Sequence, residues 1–346
     1  MILAVPQAPF ATRPHHRHLS STPEDAWLRF DRNVSRDLVH RKALAEVLIA
    51  DTVQVADDEF LLGTQLPRAH TLWSDRVYPY HDPLITIEVC RQACLAVPQR
   101  YYDVGPDWQF VSKLINFRVV NLDAFTDNEV SPPEGILRAR FSNRRERKGI
   151  LCGITVQAEL TIEGTSAATV SGDLMFFPKI TYERLRAQQR QHKALDKQPQ
   201  ATTRPVDPAT IGRAFHRNVT IGESDFPGSV AGDCRYVAVV DRRNPYFFDH
   251  PLDHIPGALV LEIYRQAAIA TVTGDTAAMP AAAVITRCDV QLADFAELES
   301  PLECSAKVIG EPEDEPVQIA LALHQLERQI GDAHVELDFV SIADRL

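Results

Sequence analysis

Two related stretches of the chain, HPLDHIPGALVLEIYRQA (residues 250–267) and HDPLITIEVCRQA (residues 81–93), indicate how it is organised. In both, a histidine and an aspartate precede an apolar segment that carries the pattern Glu-x-x-Arg-Gln-Ala. The two glutamates, Glu88 and Glu262, lie 174 residues apart, about half of the 346-residue chain. The spacing is far longer than a solenoid repeat and indicates that a whole domain is duplicated.

Each copy has the same expected order of secondary structure. In the first copy, residues 45–66 predict a β-hairpin with its turn at residues 57–59, and an apolar helix follows from about Leu84 to Val97, ended by Pro98. Three or four strand segments come after this helix, and the second copy repeats the order around a helix that begins near residue 257. The pattern predicts an α+β unit in which a curled antiparallel sheet wraps around a central helix.

The expected domain boundaries follow from these repeats. Residues 1–34 are a tail, residues 35–182 form the first domain, and residues 211–346 form the second. Between them, residues 183–210 are polar, rich in glutamine and then interrupted by proline, which predicts a short exposed helix followed by a linker.

The composition is that of a soluble globular protein, with 45% hydrophobic and 24% charged residues. A net charge of −11 argues against broad nucleic-acid binding. No apolar run approaches the roughly 18 residues of a membrane helix, and the N-terminus lacks the features of a signal peptide, so a cytoplasmic location is expected. The six cysteines show no metal-ligand spacing, and neither a metal nor a bound cofactor is expected.

A polar stripe runs along each of the two apolar helices. Glu262, Arg265 and Gln266 share one helix face in the second copy, and Glu88, Arg91 and Gln92 share one in the first. The simplest interpretation is an exposed ion pair worth a few tenths of a kcal/mol. Because the stripe occurs twice on helices that are otherwise apolar, where an unpaired charge is costly, a polar functional site is favoured.

The residues ahead of the second helix point to acid–base chemistry. His250, Asp253 and His254 precede a Pro256–Gly257 turn, and the helix N-terminus that follows favours an oxyanion or an acyl carbonyl. A histidine and Glu262 could form a general acid–base pair, or the glutamate could orient a hydroxyl while a histidine moves the proton. Each histidine could instead be a structural turn residue. No G-x-S-x-G motif is present, which disfavours a serine acyl-enzyme.

These motifs resemble the hotdog superfamily, specifically the tandem hotdog proteins of the A-factor biosynthesis family, which make γ-butyrolactone-type signalling molecules in actinomycetes. The resemblance rests on VHR (39–41), FHR (215–217), DHPLDHIPGALVLEIYRQA (249–267) and YHDPLITIEVCRQA (80–93), and covers roughly residues 35–345. It implies a double hotdog fold. Pro256, Gly257 and Glu262 also resemble the signature of hotdog acyl-carrier-protein dehydratases, although His250 stands closer to the glutamate than in that signature. The first copy lacks the Pro-Gly pair, which implies a degenerate or differently specialised site.

The resemblance implies that a β-ketoacyl group is transferred from the thioester of an acyl carrier protein, or of CoA, to the hydroxyl of glycerone phosphate. The phosphorylated ester would then lead to a butenolide or furan-type signal. One chain would supply both halves of a hotdog pair, and a larger homo-oligomer is left open.

Under this resemblance, Glu262 is the base or hydroxyl-orienting group, helped by His250 or His254. Arg265 pairs with Glu262 or binds the phosphate, and Gln266 binds the thioester carbonyl or holds Glu262 in place. The basic segment 142–149 is either a solvated hairpin turn or a docking site for an acidic carrier protein or its phosphopantetheine phosphate, and Arg242 and Arg243 are similar candidates nearer the second site. The other expected substrate-site residues are Asp253, Gly257, Glu88, Arg91, Gln92, His40 and His216.

Two other function classes compete with the transferase. A dehydratase or thioesterase would use the same residue types without a phosphorylated acceptor. A non-catalytic acyl-binding module would need mainly apolar walls, which the repeated polar stripes disfavour. The substitution Glu262→Ala separates the classes, because a binder would keep its ligand affinity and an enzyme would lose turnover.

Overall fold

The computed structural model describes residues 27–75, 80–193, 195, 203–223, 233–274, 279–310 and 316–340. Most of the expected N-terminal tail, residues 1–26, therefore lies outside the described residues, and so does part of the linker.

One antiparallel sheet of twelve strands forms the framework. Its order is β1-β2-β4-β5-β6-β3-β9-β12-β11-β10-β8-β7. The strands are β1 (Ile49–Ala56), β2 (Glu59–Gln65), β3 (Gln109–Val119), β4 (Glu134–Arg147), β5 (Ile150–Ile162), β6 (Thr165–Phe177), β7 (Ile221–Glu223), β8 (Asp233–Ala238), β9 (Ala283–Leu292), β10 (Glu303–Ile309), β11 (Val317–Gln325) and β12 (Arg328–Phe339).

The sheet has internal two-fold pseudosymmetry. The first six strands in its order come from one copy and the last six from the other, in mirrored sequence. Strands β3 and β9 join the halves as an antiparallel pair in which Phe117 lies opposite Cys288. The expected double hotdog is thus confirmed, with one chain forming both members of the pair.

The two central helices are α1 (Ile85–Tyr101) and α3 (Gly257–Thr273), and most residues of both are buried. The prediction that the first helix ends at Pro98 was wrong, because α1 continues through Pro98 to Tyr101. The Pro98 carbonyl accepts hydrogen bonds from the backbone N–H groups of Tyr102 and Val104, at 3.1 and 3.2 Å, so a further turn forms beyond the proline. None of the helices in the described ranges is long and apolar enough to cross a membrane.

A third helix, α2 (Lys179–Gln191), follows β6 and is not simply exposed as expected. Arg186 on α2 is 2% exposed and donates to both carboxylate oxygens of the fully buried Glu297, at 3.0 and 2.8 Å. Arg190 and Lys193 pair with the same glutamate. The connecting segment is therefore docked on the second copy, by a partner 111 residues away that local sequence patterns do not reveal.

Candidate active site

A cavity of about 620 Å³ is lined by residues of both central helices. Its size and largely apolar wall suit an acyl chain. The apolar lining includes Cys90, Cys94, Leu95, Val156, Leu174, Val260, Leu261 and Leu292. Polar side chains from two clusters interrupt this wall, one centred on Glu88 and the other on Glu262.

The Glu88 cluster consists of Arg41, Glu88, Arg91 and Gln92. Glu88 accepts from Arg41 Nη2 at 2.8 Å on Oε1, from Arg91 Nε at 2.7 Å on Oε2, and from Gln92 Nε2 at 2.8 Å on Oε1. Burial favours a raised pKa of Glu88, but the two guanidinium groups outweigh it and hold that pKa well below its ordinary value. Glu88 is consequently a permanent carboxylate that orients two arginines, and it is a poor proton acceptor.

The Glu262 cluster consists of Arg213, Glu262, Arg265 and Gln266, and repeats this arrangement. Arg213 donates to both oxygens of Glu262, Nε to Oε1 at 3.0 Å and Nη2 to Oε2 at 2.7 Å. Gln266 Nε2 donates to Oε1 at 2.5 Å, and Gln266 Oε1 accepts the Thr220 N–H at 2.7 Å. Gln92 accepts the Leu48 N–H in the same way, at 2.9 Å. Both glutamines hold their glutamates in place, one of the two roles expected of Gln266.

The structure changes which residues of the two copies are equivalent. The sequence motifs pair VHR (39–41) with FHR (215–217), whereas the hydrogen bonds to Glu88 and Glu262 make Arg41 equivalent to Arg213. Each arginine crosses to a backbone carbonyl of the other copy, Arg41 Nη1 to Tyr246 at 3.1 Å and Arg213 Nη1 to Leu72 at 3.0 Å. His216 is exposed and does not line the cavity, so its expected supporting role was wrong.

The two clusters differ in what they present to the cavity. Arg41, Glu88 and Arg91 line it, whereas Glu262 is the only member of its cluster that does. Arg265 is turned away: its Nε lies 3.5 Å from Asp82 Oδ2 and its Nη1 donates to the Ile211 carbonyl at 3.3 Å. Arg265 Nη1 also lies 3.5 Å from Glu262 Oε1, which is the pairing expected as one of its two roles. Buried partners hold this guanidinium behind the wall, and the alternative role, a phosphate contact, stays a prediction.

His250 lies beside the Glu88 cluster, although it is part of the second copy in sequence and was expected to serve Glu262. It lines the cavity, and its pKa is lowered by burial and by the charges of Arg41 and Arg91, against the opposing effect of Asp249. The Nδ1 atom lies 3.5 Å from Asp249 Oδ2. Within the described ranges Glu262 hydrogen-bonds to Arg213, Arg265 and Gln266, and to neither His250 nor His254.

His40 is the second histidine of this region and lines the same cavity. Burial lowers its pKa from 6.5 to about 4, and Arg91 and His250 add to the effect. Its Nε2 atom is buried and has no hydrogen-bond partner in the part of the chain that the structure describes. At neutral pH, His40 is therefore an uncharged acceptor facing the cavity.

The pKa of His40 leads to a stability prediction. Between pH 6.5 and about 4 the unfolded chain binds a proton that folded His40 does not, so this residue makes the free energy of unfolding fall as pH falls. Asparagine tolerates the left-handed backbone at this position, where φ is 50°. In urea denaturation, His40→Asn is expected to reduce the loss of stability between pH 7 and 4.5 by about 1–2 kcal/mol. An unchanged pH dependence would contradict the buried, neutral state.

His254 and Asp253 form a separate group beside α2. His254 Nδ1 lies 2.8 Å from Asp253 Oδ1 and 3.4 Å from the Tyr182 hydroxyl. Burial favours a raised pKa of Asp253, but hydrogen bonds from His254 and Arg186 lower it overall. His254 lines the cavity, whereas Asp253 does not. Asp253 thus holds His254 and α2 in position, and its expected substrate contact was wrong.

The remaining expected residues are dispersed. Gly257 lines the cavity, and a Cβ there would meet only open space. Arg243 has a 90% exposed side chain, pairs with Asp241 at 2.8 Å and does not line the cavity. In the basic segment 142–149, Arg144 pairs with Asp58, and Arg145 pairs with Asp173 at 2.8 Å. Carrier docking at these surfaces stays a prediction.

Three residues at the polar end of the cavity were not predicted from the sequence. Arg41, the last residue of the VHR motif, could have been found from its spacing, because Arg41 precedes Glu88 by 47 residues and Arg213 precedes Glu262 by 49. Trp73 and Tyr246 carried no such signal. The Tyr246 ring lies 5.0 Å from the Arg41 guanidinium carbon and 5.4 Å from the Trp73 ring.

The duplicated sheet, the wrapped helices and the shared cavity define a double hotdog protein. The chain belongs to the A-factor biosynthesis hotdog domain family, whose model matches residues 24–178 and 195–341. This confirms the resemblance identified from the sequence motifs.

Similar proteins include two named 2-oxo-3-(phosphooxy)propyl 3-oxoalkanoate synthase. The one from Streptomyces virginiae is 28% identical, over 84% of this chain and 93% of its own length. The one from Streptomyces coelicolor is 27% identical, over 83% and 86%. Among solved structures, the 12:0-ACP thioesterase from Umbellularia californica aligns with 83% of this chain and 100% of its own, at 11% identity and a TM-score of 0.49.

Proposed function

We propose that this protein is an acyltransferase that moves a β-ketoacyl group from a thioester of an acyl carrier protein or CoA to the hydroxyl of glycerone phosphate. The product is a phosphorylated ester, the precursor of a butenolide or γ-butyrolactone-type signal. The observation that carries the proposal is one apolar cavity that ends at two arginines and two uncharged histidines. The names of the similar synthases support it.

The reacting end of this cavity is the Glu88 cluster rather than the Glu262 cluster. A neutral histidine can accept a proton near pH 7, whereas Glu88 is saturated by arginine and glutamine donors. His250 removes the proton of the acceptor hydroxyl while the hydroxyl oxygen bonds to the thioester carbonyl carbon. The carbon–sulfur bond then breaks, and the departing thiolate receives the proton from His250. His40 accepts a hydrogen bond from the bound acceptor.

The proposal needs no resident cofactor, because the acyl group arrives on the phosphopantetheine arm of its carrier. The N-terminal end of α3 lies on the cavity wall at Gly257, where the open space leaves room for the thioester to approach backbone amides.

A product assay by mass spectrometry tests the function. Purified protein with a β-ketoacyl thioester is expected to form a phosphorylated ester only when glycerone phosphate is present. Lys307→Ala, which changes an exposed side chain away from the cavity and from the candidate docking surfaces, serves as a control and should retain the activity. Release of free acid at the same rate with and without the acceptor would overturn the transferase in favour of a thioesterase, and a dehydrated thioester would favour a dehydratase.

A further inference from the structure

Three unpartnered polar atoms lie on the cavity wall at its Glu88 end. His40 Nε2, Arg41 Nε and Trp73 Nε1 are all buried without a hydrogen-bond partner in the described ranges, and all three residues line the cavity. Arg41 is 6% exposed and Trp73 is 8% exposed. Because buried polar groups are nearly always hydrogen-bonded, three such groups on one wall indicate that a polar ligand completes them.

The charge of this wall favours an anion. Arg41 and Arg91 face the cavity with only Glu88 between them, which leaves one net positive charge. Arg91 uses Nε and Nη2 for Glu88 and for the Val39 carbonyl, and within the described part of the chain its Nη1 has no partner. Glu88 fixes the plane of the guanidinium, so the outward edge of Arg91 is held ready to donate.

The nearby carboxylates do not oppose an anion in the cavity. Glu46 lies off the cavity wall and is held by His70 at 3.0 Å. Asp249 also lies off the wall, where it accepts the backbone N–H groups of Lys42 and Ala43 at 2.5 and 2.8 Å. At the other end of the cavity, Glu262 lines the wall, whereas Arg213 and Arg265 do not. Among the described residues that line the cavity, Arg41 and Arg91 give the Glu88 end a net positive charge, whereas Glu262 brings a carboxylate to the other end.

We infer that Arg41, Trp73 and Arg91 form a preformed subsite for the phosphate of a phosphomonoester acceptor. This inference rests on the proposed function and assigns the phosphate to one end of the cavity. Two guanidinium edges and an indole N–H can donate to separate phosphate oxygens, and His40 can accept from a protonated one. Glycerone phosphate is only three carbons long, so a phosphate bound here leaves its hydroxyl within reach of the histidines of the same cluster.

Binding and kinetics of Arg91→Met test the subsite. Titration calorimetry with glycerone phosphate is expected to show affinity reduced about 10- to 100-fold, as for the loss of a charged hydrogen bond. In the product assay, the KM for glycerone phosphate should rise by a similar factor while the KM for the thioester stays unchanged. Trp73→Phe keeps an aromatic ring but removes the indole N–H, and it is expected to cause a smaller rise in the same constant.

Arg235→Met is the matched control, because it makes the same change at an exposed arginine that does not line the cavity. It should leave both constants unchanged. Dihydroxyacetone, which lacks the phosphate, is a further probe: wild-type protein should strongly prefer the phosphorylated acceptor, and Arg91→Met should lose most of that preference. Wild-type affinity and preference in Arg91→Met would overturn the subsite even if ester is formed. Tight, Arg91-dependent binding without ester formation would support the subsite and overturn the proposed transfer.

Discussion

Replacing His250 with glutamine is expected to lower kcat of the acyl transfer by about 10²- to 10⁴-fold, the usual contribution of a positioned general base. His250 lines the cavity beside Arg41 and Arg91, and its lowered pKa keeps it uncharged at neutral pH. Glutamine retains a polar side chain of similar length but cannot accept the proton. The rate of ester formation at saturating acceptor and thioester is the measurement.

His254→Gln is the matched control for this prediction. His254 lines the same cavity, but its Nδ1 is engaged by Asp253 at 2.8 Å, and it belongs to neither glutamate cluster. Its loss is expected to cost much less than the loss of His250. If His254→Gln abolishes ester formation while His250→Gln retains it, the proton is moved at the α2 side of the cavity and the proposed base is wrong.

The second large effect concerns stability. Arg213→Met is expected to lower the free energy of unfolding by about 3–5 kcal/mol, because it leaves a buried glutamate without its main counter-charge. Arg213 is fully buried and makes two hydrogen bonds to Glu262. It also donates to the carbonyls of Leu72 and Asp75 in the first copy, at 3.0 and 3.1 Å, so it joins the two copies. Urea denaturation of the purified variant measures the loss.

The double variant Arg213→Met, Glu262→Leu separates structure from catalysis. Replacing both members of a buried ion pair with apolar residues usually restores most of the stability that a single replacement removes. Because the proposed chemistry lies at the Glu88 cluster, the folded double variant should still form ester. A stable double variant without any transfer activity would show that Glu262 takes part in the reaction, as the sequence motifs first indicated.

The two clusters show how duplication can produce one reacting end from two similar motifs. Both helices keep a glutamate, an arginine and a glutamine at the same spacing. In the first copy, Arg91 remains 37% exposed and faces the cavity. In the second, the equivalent Arg265 lies close to the buried Asp82, contributed by the first copy. The carboxylate of Asp82 thus lies beside Arg265, which is held behind the cavity wall, whereas Arg91 stays on the wall as a donor.

By itself, the sequence determined the duplication, the two central helices, nearly all of the strands and the glutamate stripes. These features depend on local periodicity and on a repeat of 174 residues, both of which can be read along the chain. The end of α1 was predicted too early. The turn beyond Pro98 is held by hydrogen bonds from the backbone N–H groups of Tyr102 and Val104 to the Pro98 carbonyl, and these depend on the conformation of the loop after the helix.

Only the tertiary structure decided which residues meet at the cavity. His250 precedes Glu262 by 12 residues, yet it lies with Arg41 and Arg91, because the two-fold packing brings the loop before α3 against the first copy. Arg41 donates a hydrogen bond to the Tyr246 carbonyl, 205 residues away along the chain, and Arg186 donates one to Glu297, 111 residues away. Such pairings depend on how the sheet and its two-fold packing bring distant segments together, and they cannot be predicted from periodicity along the chain.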